Sequence, residues 1–353
     1  MAVPDVAVVG FAEAPNLRAA DATTNGVEML VPLFEQVLDE LSMTRHDIGF
    51  WCSGSSDYLA GRAFSFIAAI DAIGAVPPIN ESHVEMDAAW ALYEAWVKLR
   101  TGEVDTALVY GFGKSSAGDL RRTLALQLDP YSVAPLWPDS VTIAALQARL
   151  GLETGMWTER EMAEVSARSL RDGATNPLAQ RGHATDADAL LAEPTLADPL
   201  RAYDCAPITD GASVVVLAAA DRARELRRDP AWITGMAHRT ESGTLTARDL
   251  TRSSSTQDCS KAAGTDGVAV AELHAPFSHQ DIVLRRALGL GDAVSVSPSG
   301  GALCGNPMFS AGLSRIGHAA RHVLDGRAEK VLGHATSGPA LQQNLVCVME
   351  GGN

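Results

Sequence analysis

An α/β fold made of two similar halves, with a cap region inserted between them, is predicted by three observations. Apolar runs bounded by glycine, such as Asp5 to Gly10 and Asp105 to Gly111, have the continuous hydrophobicity of strands buried on both faces. Segments with helical spacing alternate with these runs. The plan of strand, buried helix and paired closing strands then recurs in the second half of the chain, as an internal duplication would produce.

In order, Asp5 to Gly10 is the first strand, and Thr24 to Leu41 is a helix whose Val27, Leu30, Leu33, Phe34 and Val37 share a face. Ile48 to Cys52 reads as a strand and Ala60 to Ile73 as a packed helix. Pro78 to Met86 leads into a helix with Asp87 as its N-cap and Gly102 as its stop. That helix is apolar nearly all round, which places it inside the molecule. From Phe112 to Leu200 the alternation is lost, and a helix from Glu164 to Gln180 ends at an Asn-Pro stop. Arg201 to Ala219 contains a turn at Asp210-Gly211 followed by a buried strand. In the second half, Trp232 to Met236 is a strand, His279 to Leu288 a helix, and Ala293 to Val296 a strand breaking at a glycine pair that opens into a helix. Ser310 to Leu324 is a further helix, with Lys330 to His334 and Leu345 to Met349 as closing strands. The resulting division is 1–111 with 200–220, an insertion over 112–199, and a second half over 221–353.

The net charge of −15 and the lack of Lys/Arg clusters exclude a nucleic-acid surface. The N-terminus has no basic n-region, and no apolar run reaches membrane-spanning length. Five widely spaced cysteines without C-x-x-C pairing fit a reducing cytoplasm rather than a disulfide frame or a zinc site. A cytoplasmic protein with no metal and no tightly bound cofactor is therefore expected.

Four stretches carry a family resemblance. S-G-G-A-L-C-G-N-P, from Ser299 to Pro307, resembles the thiolase signature G-G-x-x-x-x-G-H-P, one residue shorter after the glycines. Y-D-C-A-P-I-T-D-G-A from Tyr203, A-E-L-H-A-P-F-S from Ala271 and L-Q-Q-N-L-V-C-V-M from Leu341 are similar to segments of the sterol-carrier or lipid-transfer branch of the thiolase superfamily, in the family's order. The resemblance implies a thiolase-like fold, the two halves layered α-β-α-β-α. It also implies a CoA thioester as substrate and a dimer, homo or with a homologous thiolase-like chain. A zinc-ribbon/OB-fold partner protein would supply part of the acyl-CoA site, with Lys114, Arg121 and Arg122 as further phosphate contacts.

By the same resemblance the nucleophilic cysteine position falls on Ala88, the second cysteine on Pro276 and the histidine on Asn306. Alanine offers no nucleophile and proline no proton, so Claisen chemistry is not expected. The chain shares this loss of cysteines with the steroid side-chain aldolases, whose retro-aldol cleavage needs a base and donors for a thioester enolate. His274 is the first choice of base and Asn306 of donor. Glu85 reads equally as a base or a core-paired carboxylate, and Asp87 as a helix cap before a catalyst. Gly300 and Gly301 would let the thioester oxygen approach, and His334 and Ser337 are candidate substrate contacts. Cys304, Tyr203 and Asp204 read as structural. Two functions follow: an acyl-CoA aldolase, on a sterol side-chain intermediate, or a non-catalytic partner subunit in a heteromeric lipid-degrading complex.

Overall fold

The computed structural model describes residues 3–20, 25–57, 65–74 and 79–352. The starts of the first two expected helices, at Thr24 and at Ala60 to Phe64, and Pro78 of the expected lead into the next helix, lie outside these residues. The strands are β1 (Val6–Glu13), β2 (Phe50–Gly54), β3 (Glu81–Val84), β4 (Thr106–Lys114), β5 (Thr195–Ala197), β6 (Leu200–Arg201), β7 (Asp210–Ala219), β8 (Ala231–Thr240), β9 (Val270–Glu272), β10 (Ser295–Val296), β11 (Lys330–Ser337) and β12 (Gln343–Glu350). The helices are α1 (Gly26–Glu40), α2 (Ser65–Ile73), α3 (Ala88–Arg100), α4 (Leu120–Leu126), α5 (Ser140–Glu153), α6 (Glu159–Gly173), α7 (Ala187–Leu191), α8 (Ala220–Leu226), α9 (Ser254–Ala263), α10 (Ser278–Leu288) and α11 (Ala311–Leu324).

The duplication is explicit in the strand order. The first half runs β3-β2-β4-β7-β1 and the second β10-β9-β11-β12-β8. Each has its first three strands parallel and its last two pairings antiparallel. The two half-sheets touch through β1 and β8, at Ala7↔Trp232 and Val8↔Ala231, so hydrogen bonding is continuous across ten strands.

Strand alternation sorts the apolar residues of the ten-stranded sheet into three cores. The middle one holds Ala91, Leu92 and Ala95 of α3 and Leu313, Ile316 and Ala320 of α11 between the inner faces of both half-sheets, including Val109 and Leu345. Outside the first half-sheet, α1 lays Leu30, Phe34 and Val37 against Val214 and Val216. Outside the second, α9 and α10 set Cys259, Ala263, Val283 and Leu284 against Leu332, Val346 and Val348. This is the expected five-layer arrangement. The complete burial of α3 residues such as Leu92, Ala95 and Leu99 explains its all-round hydrophobicity.

Three local expectations are corrected. Asp210-Gly211 is no turn: it opens β7, where Gly113↔Gly211 and Lys114↔Asp210 pair with β4, so sheet pairing outweighs the local turn preference. The helix expected over Glu164 to Gln180 is α6, Glu159–Gly173, started by a Thr158/Glu161 capping box and ended before Asn176. The glycine pair does not open directly into a helix. Gly300 and Gly301 have φ of 93° and 63°, a 3-10 turn follows at Ala302–Cys304, and α11 begins only at Ala311, beyond Pro307. No helix among the described residues is long and apolar enough to cross a membrane.

Candidate active site

Three loops meet over the middle layer: the turn after β9 with His274, the loop Gly305 to Ser310 before α11, and the start of α3. The loop before α11 is pressed onto β4 so closely that a Cβ at Gly113 would lie 1.6 Å from the Met308 carbonyl oxygen. The Asn306 amide N–H donates to Thr209 Oγ1 at 2.9 Å, and the Ala88 N–H donates to the Phe309 carbonyl at 3.0 Å. These contacts fix Asn306 beside a cavity of about 1210 Å³, roofed by α4, α5 and neighbouring segments of the insertion. Leu124, Leu128, Ile143, Phe277, Met308 and Phe309 give it an apolar wall.

His274 Nδ1 accepts the Thr336 N–H at 3.3 Å, which fixes the tautomer, so Nε2–H donates to Asn306 Oδ1 at 2.9 Å. Burial lowers the imidazole pKa, Asp87 opposing, and the ring is held neutral. Both ring nitrogens are thus engaged, and His274 has no lone pair for a substrate proton. The expected base is thus hydrogen-bonded to the expected donor, Asn306, which lines the cavity and whose Nδ2 has no hydrogen-bond partner among the described residues.

Asp87 is 3% exposed and lines the cavity, but its oxygens are occupied. Oδ1 accepts from Ala89 N at 2.9 Å and Leu313 N at 3.1 Å, and Oδ2 from Gly312 N at 2.9 Å. It caps α3 and α11 together. The cap contact expected from the sequence is present and extends across two helices. Glu85 lies on the exposed rim of the cavity, its Oε1 accepting the Asp57 N–H at 3.0 Å and its Oε2 3.5 Å from His83 Nε2.

Ser337 lines the cavity, whereas His334, Gly300 and Gly301 do not. Alternation along β11 turns His334 to the outer face with Leu332, where its Nε2 pairs with Asn344 Oδ1 at 3.1 Å; burial, then the neighbouring His274, lower its pKa to about 3. A Cβ at Gly300 would sit 2.8 Å from Gly173 Cα, so the bare backbone there admits α6 rather than a ligand. All five cysteines are free and buried. Cys205 alone among them lines the cavity, and burial raises its thiol to about 12. Asp204 is structural, accepting from Ser166, Ser278 and the Arg201 N–H.

Three cavity groups escaped the sequence reading. Tyr203, read as structural, lines the cavity with Arg181 stacked over its ring at 5.3 Å. Gln280 lines the cavity and donates from Nε2 to Gln147 Oε1 at 3.0 Å. Arg181 lies within an insertion without motifs, Tyr203 opens a motif whose other residues drew the reading, and Gln280 sits on a helix face that reads as packing. Of the expected phosphate contacts, Arg121 lines the cavity with a side chain 58% exposed, joined there by Arg18.

No family model matches the chain. It is 29% identical over 270 residues, 67% of its own length and 70% of the relative's, to an acetyl-CoA acetyltransferase of Methanothermobacter thermautotrophicus. Its structure aligns with human mitochondrial 3-ketoacyl-CoA thiolase over 99% of both chains, with a TM-score of 0.78 and 13% identity. It aligns with an Ltp2-ChsH2(DUF35) aldolase over 98% of both chains, with a TM-score of 0.79 and 16% identity. The chain has the thiolase fold. Its backbone follows an aldolase of that fold as closely as it follows a thiolase.

Proposed function

We propose that this protein is an acyl-CoA aldolase that cleaves a β-hydroxyacyl-CoA by a retro-aldol reaction. One observation carries the reading: the His274–Asn306 pair presents an oriented amide donor to an apolar cavity in which no thiolate is available. A base removes the β-hydroxyl proton, and the resulting oxyanion collapses to a ketone or aldehyde as the Cα–Cβ bond breaks. The bonding pair passes to the thioester enolate, whose oxygen accepts from Asn306 Nδ2, and protonation of Cα releases the shortened acyl-CoA. Glu85 is the base in this account: its side chain is 52% exposed at the cavity rim, whereas Asp87 is buried and already accepts three backbone N–H bonds.

The substrate class implied by the motif resemblance is a sterol side-chain intermediate, and the large apolar wall suits it. The aligned aldolase is described as an assembly of Ltp2 with ChsH2(DUF35), which supports a partner subunit here too. The competing reading, a non-catalytic subunit of a heteromeric lipid-degrading complex, gains from the engagement of both His274 nitrogens. Product formation from a branched β-hydroxyacyl-CoA, with the chain alone and with candidate partners, separates the two. Asn306→Ala and Glu85→Gln should each lower the rate about 100-fold. If both leave the competent complex unchanged while omission of the chain abolishes activity, the subunit reading replaces the aldolase.

A further inference from the structure

Arg181 stands out among the cavity's charged groups. Its Nε donates to the Leu303 carbonyl at 2.7 Å and its Nη2 to the Cys205 carbonyl at 2.6 Å, with Tyr203 beneath the guanidinium plane. The Arg181 backbone N–H also donates to the Cys304 carbonyl at 3.3 Å, so the residue is tied to the loop that carries Asn306. The remaining guanidinium N–H bonds, including both on Nη1, have no partner among the described residues, and the side chain lines the cavity.

No carboxylate of the described residues forms an ion pair with it. Asp204, its acidic neighbour, instead accepts from Ser166, Ser278 and the Arg201 N–H. Arg168, Arg248 and Arg315, also held close to the interior, each have a carboxylate partner. Burial lowers the pKa of Arg181, with the nearby Asp204 carboxylate among the groups opposing it. A clamp for two carbonyls needs two donors, and a buried charge beyond that is unfavourable until an anion arrives.

We infer that Arg181 is an anion subsite of the cavity, receiving an anionic oxygen group of the bound thioester through its free guanidinium edge. The inference rests on the acyl-CoA reading. The chemistry required is a planar or tetrahedral oxyanion able to take two parallel N–H bonds, which a carboxylate on the acyl chain or a phosphate of CoA both provide.

Calorimetric titration of the full chain, wild type and Arg181→Met, distinguishes the sources. The ligands are an ω-carboxyacyl-CoA, its methyl ester, and the same ester on pantetheine. With an acyl carboxylate at Arg181, the wild type prefers the acid over the ester at least tenfold and Arg181→Met erases the preference. With a CoA phosphate there, the preference for CoA over pantetheine drops about tenfold in Arg181→Met, and acid and ester behave alike. Both preferences unchanged in the variant overturn the inference. Each is a ratio within one protein, so loss of the two carbonyl contacts cancels. Should Arg181→Met be unfolded, Arg181→Lys is read in its place, and the relevant preference should fall several-fold. If no acyl-CoA binds, the acyl-CoA reading itself fails, and decanoate against methyl decanoate decides on Arg181 alone: a preference for decanoate lost in the variant supports the subsite, and its absence overturns it.

Discussion

At the scale of single residues, the account turns on a proton. The Thr336 N–H occupies Nδ1 of His274, so the Nε2 proton is committed to Asn306 and orients its amide. His274→Gln, which still offers an N–H donor, should keep more than about a tenth of wild-type kcat, while His274→Leu should lose about 100-fold with little change in KM. Equal, near-complete loss in both would restore His274 as the base. The presence of His274 and Asn306 at the site was legible from the motifs around them. Their division of labour was not, because the donor that sets the tautomer lies 62 residues away in sequence. His334 and the glycine pair show the same limit: a motif marks a segment, while strand alternation and close packing decide which side chains reach the cavity.

At the scale of elements, Asp87 joins the two central helices, one from each half, through three backbone N–H bonds. Asp87→Ala leaves those donors buried and unpaired and should cost about 3 kcal/mol in urea unfolding, with Asp87→Asn intermediate because it keeps one acceptor. An unchanged unfolding midpoint would show that water replaces the carboxylate. Behind α11, Arg315 lies between two buried acids, with Nη1 3.4 Å from Glu272 Oε2 and Nη2 4.0 Å from Glu13 Oε1, while His318 Nε2 is 2.7 Å from Glu13 Oε2. Strands and α3 were readable because burial on both faces writes continuous hydrophobicity. The insertion was less so, because α4 and α5 divide their apolar residues between the cavity and a core, Leu124 and Ile143 lining the first and Ala145 and Ala148 packing in the second.

At the scale of the whole molecule, the buried titrating groups set an acid limit. Burial lowers His279 and His334 to about 3, so both stay neutral in the fold while the unfolded chain takes up their protons below about 6.5. Burial alone would raise Glu13, but His318 and Arg315 hold it at about 2 against an ordinary 4.5, so its contribution is present above 4.5 and lost as pH falls toward 2. All three groups act in one direction, and the melting temperature should fall continuously from pH 7 to pH 4; a flat profile would mean that these side chains are solvated in solution. The central claim concerns the reaction, and product analysis tests it most directly. The protein, with its partner if one is required, is given a branched β-hydroxyacyl-CoA without free CoA and, separately, the corresponding β-ketoacyl-CoA with free CoA. The account predicts equal amounts of a free carbonyl compound and a shortened acyl-CoA from the first and nothing from the second. Cleavage of the ketoacyl thioester that depends on free CoA would contradict it and make the protein a thiolase in activity as well as in fold.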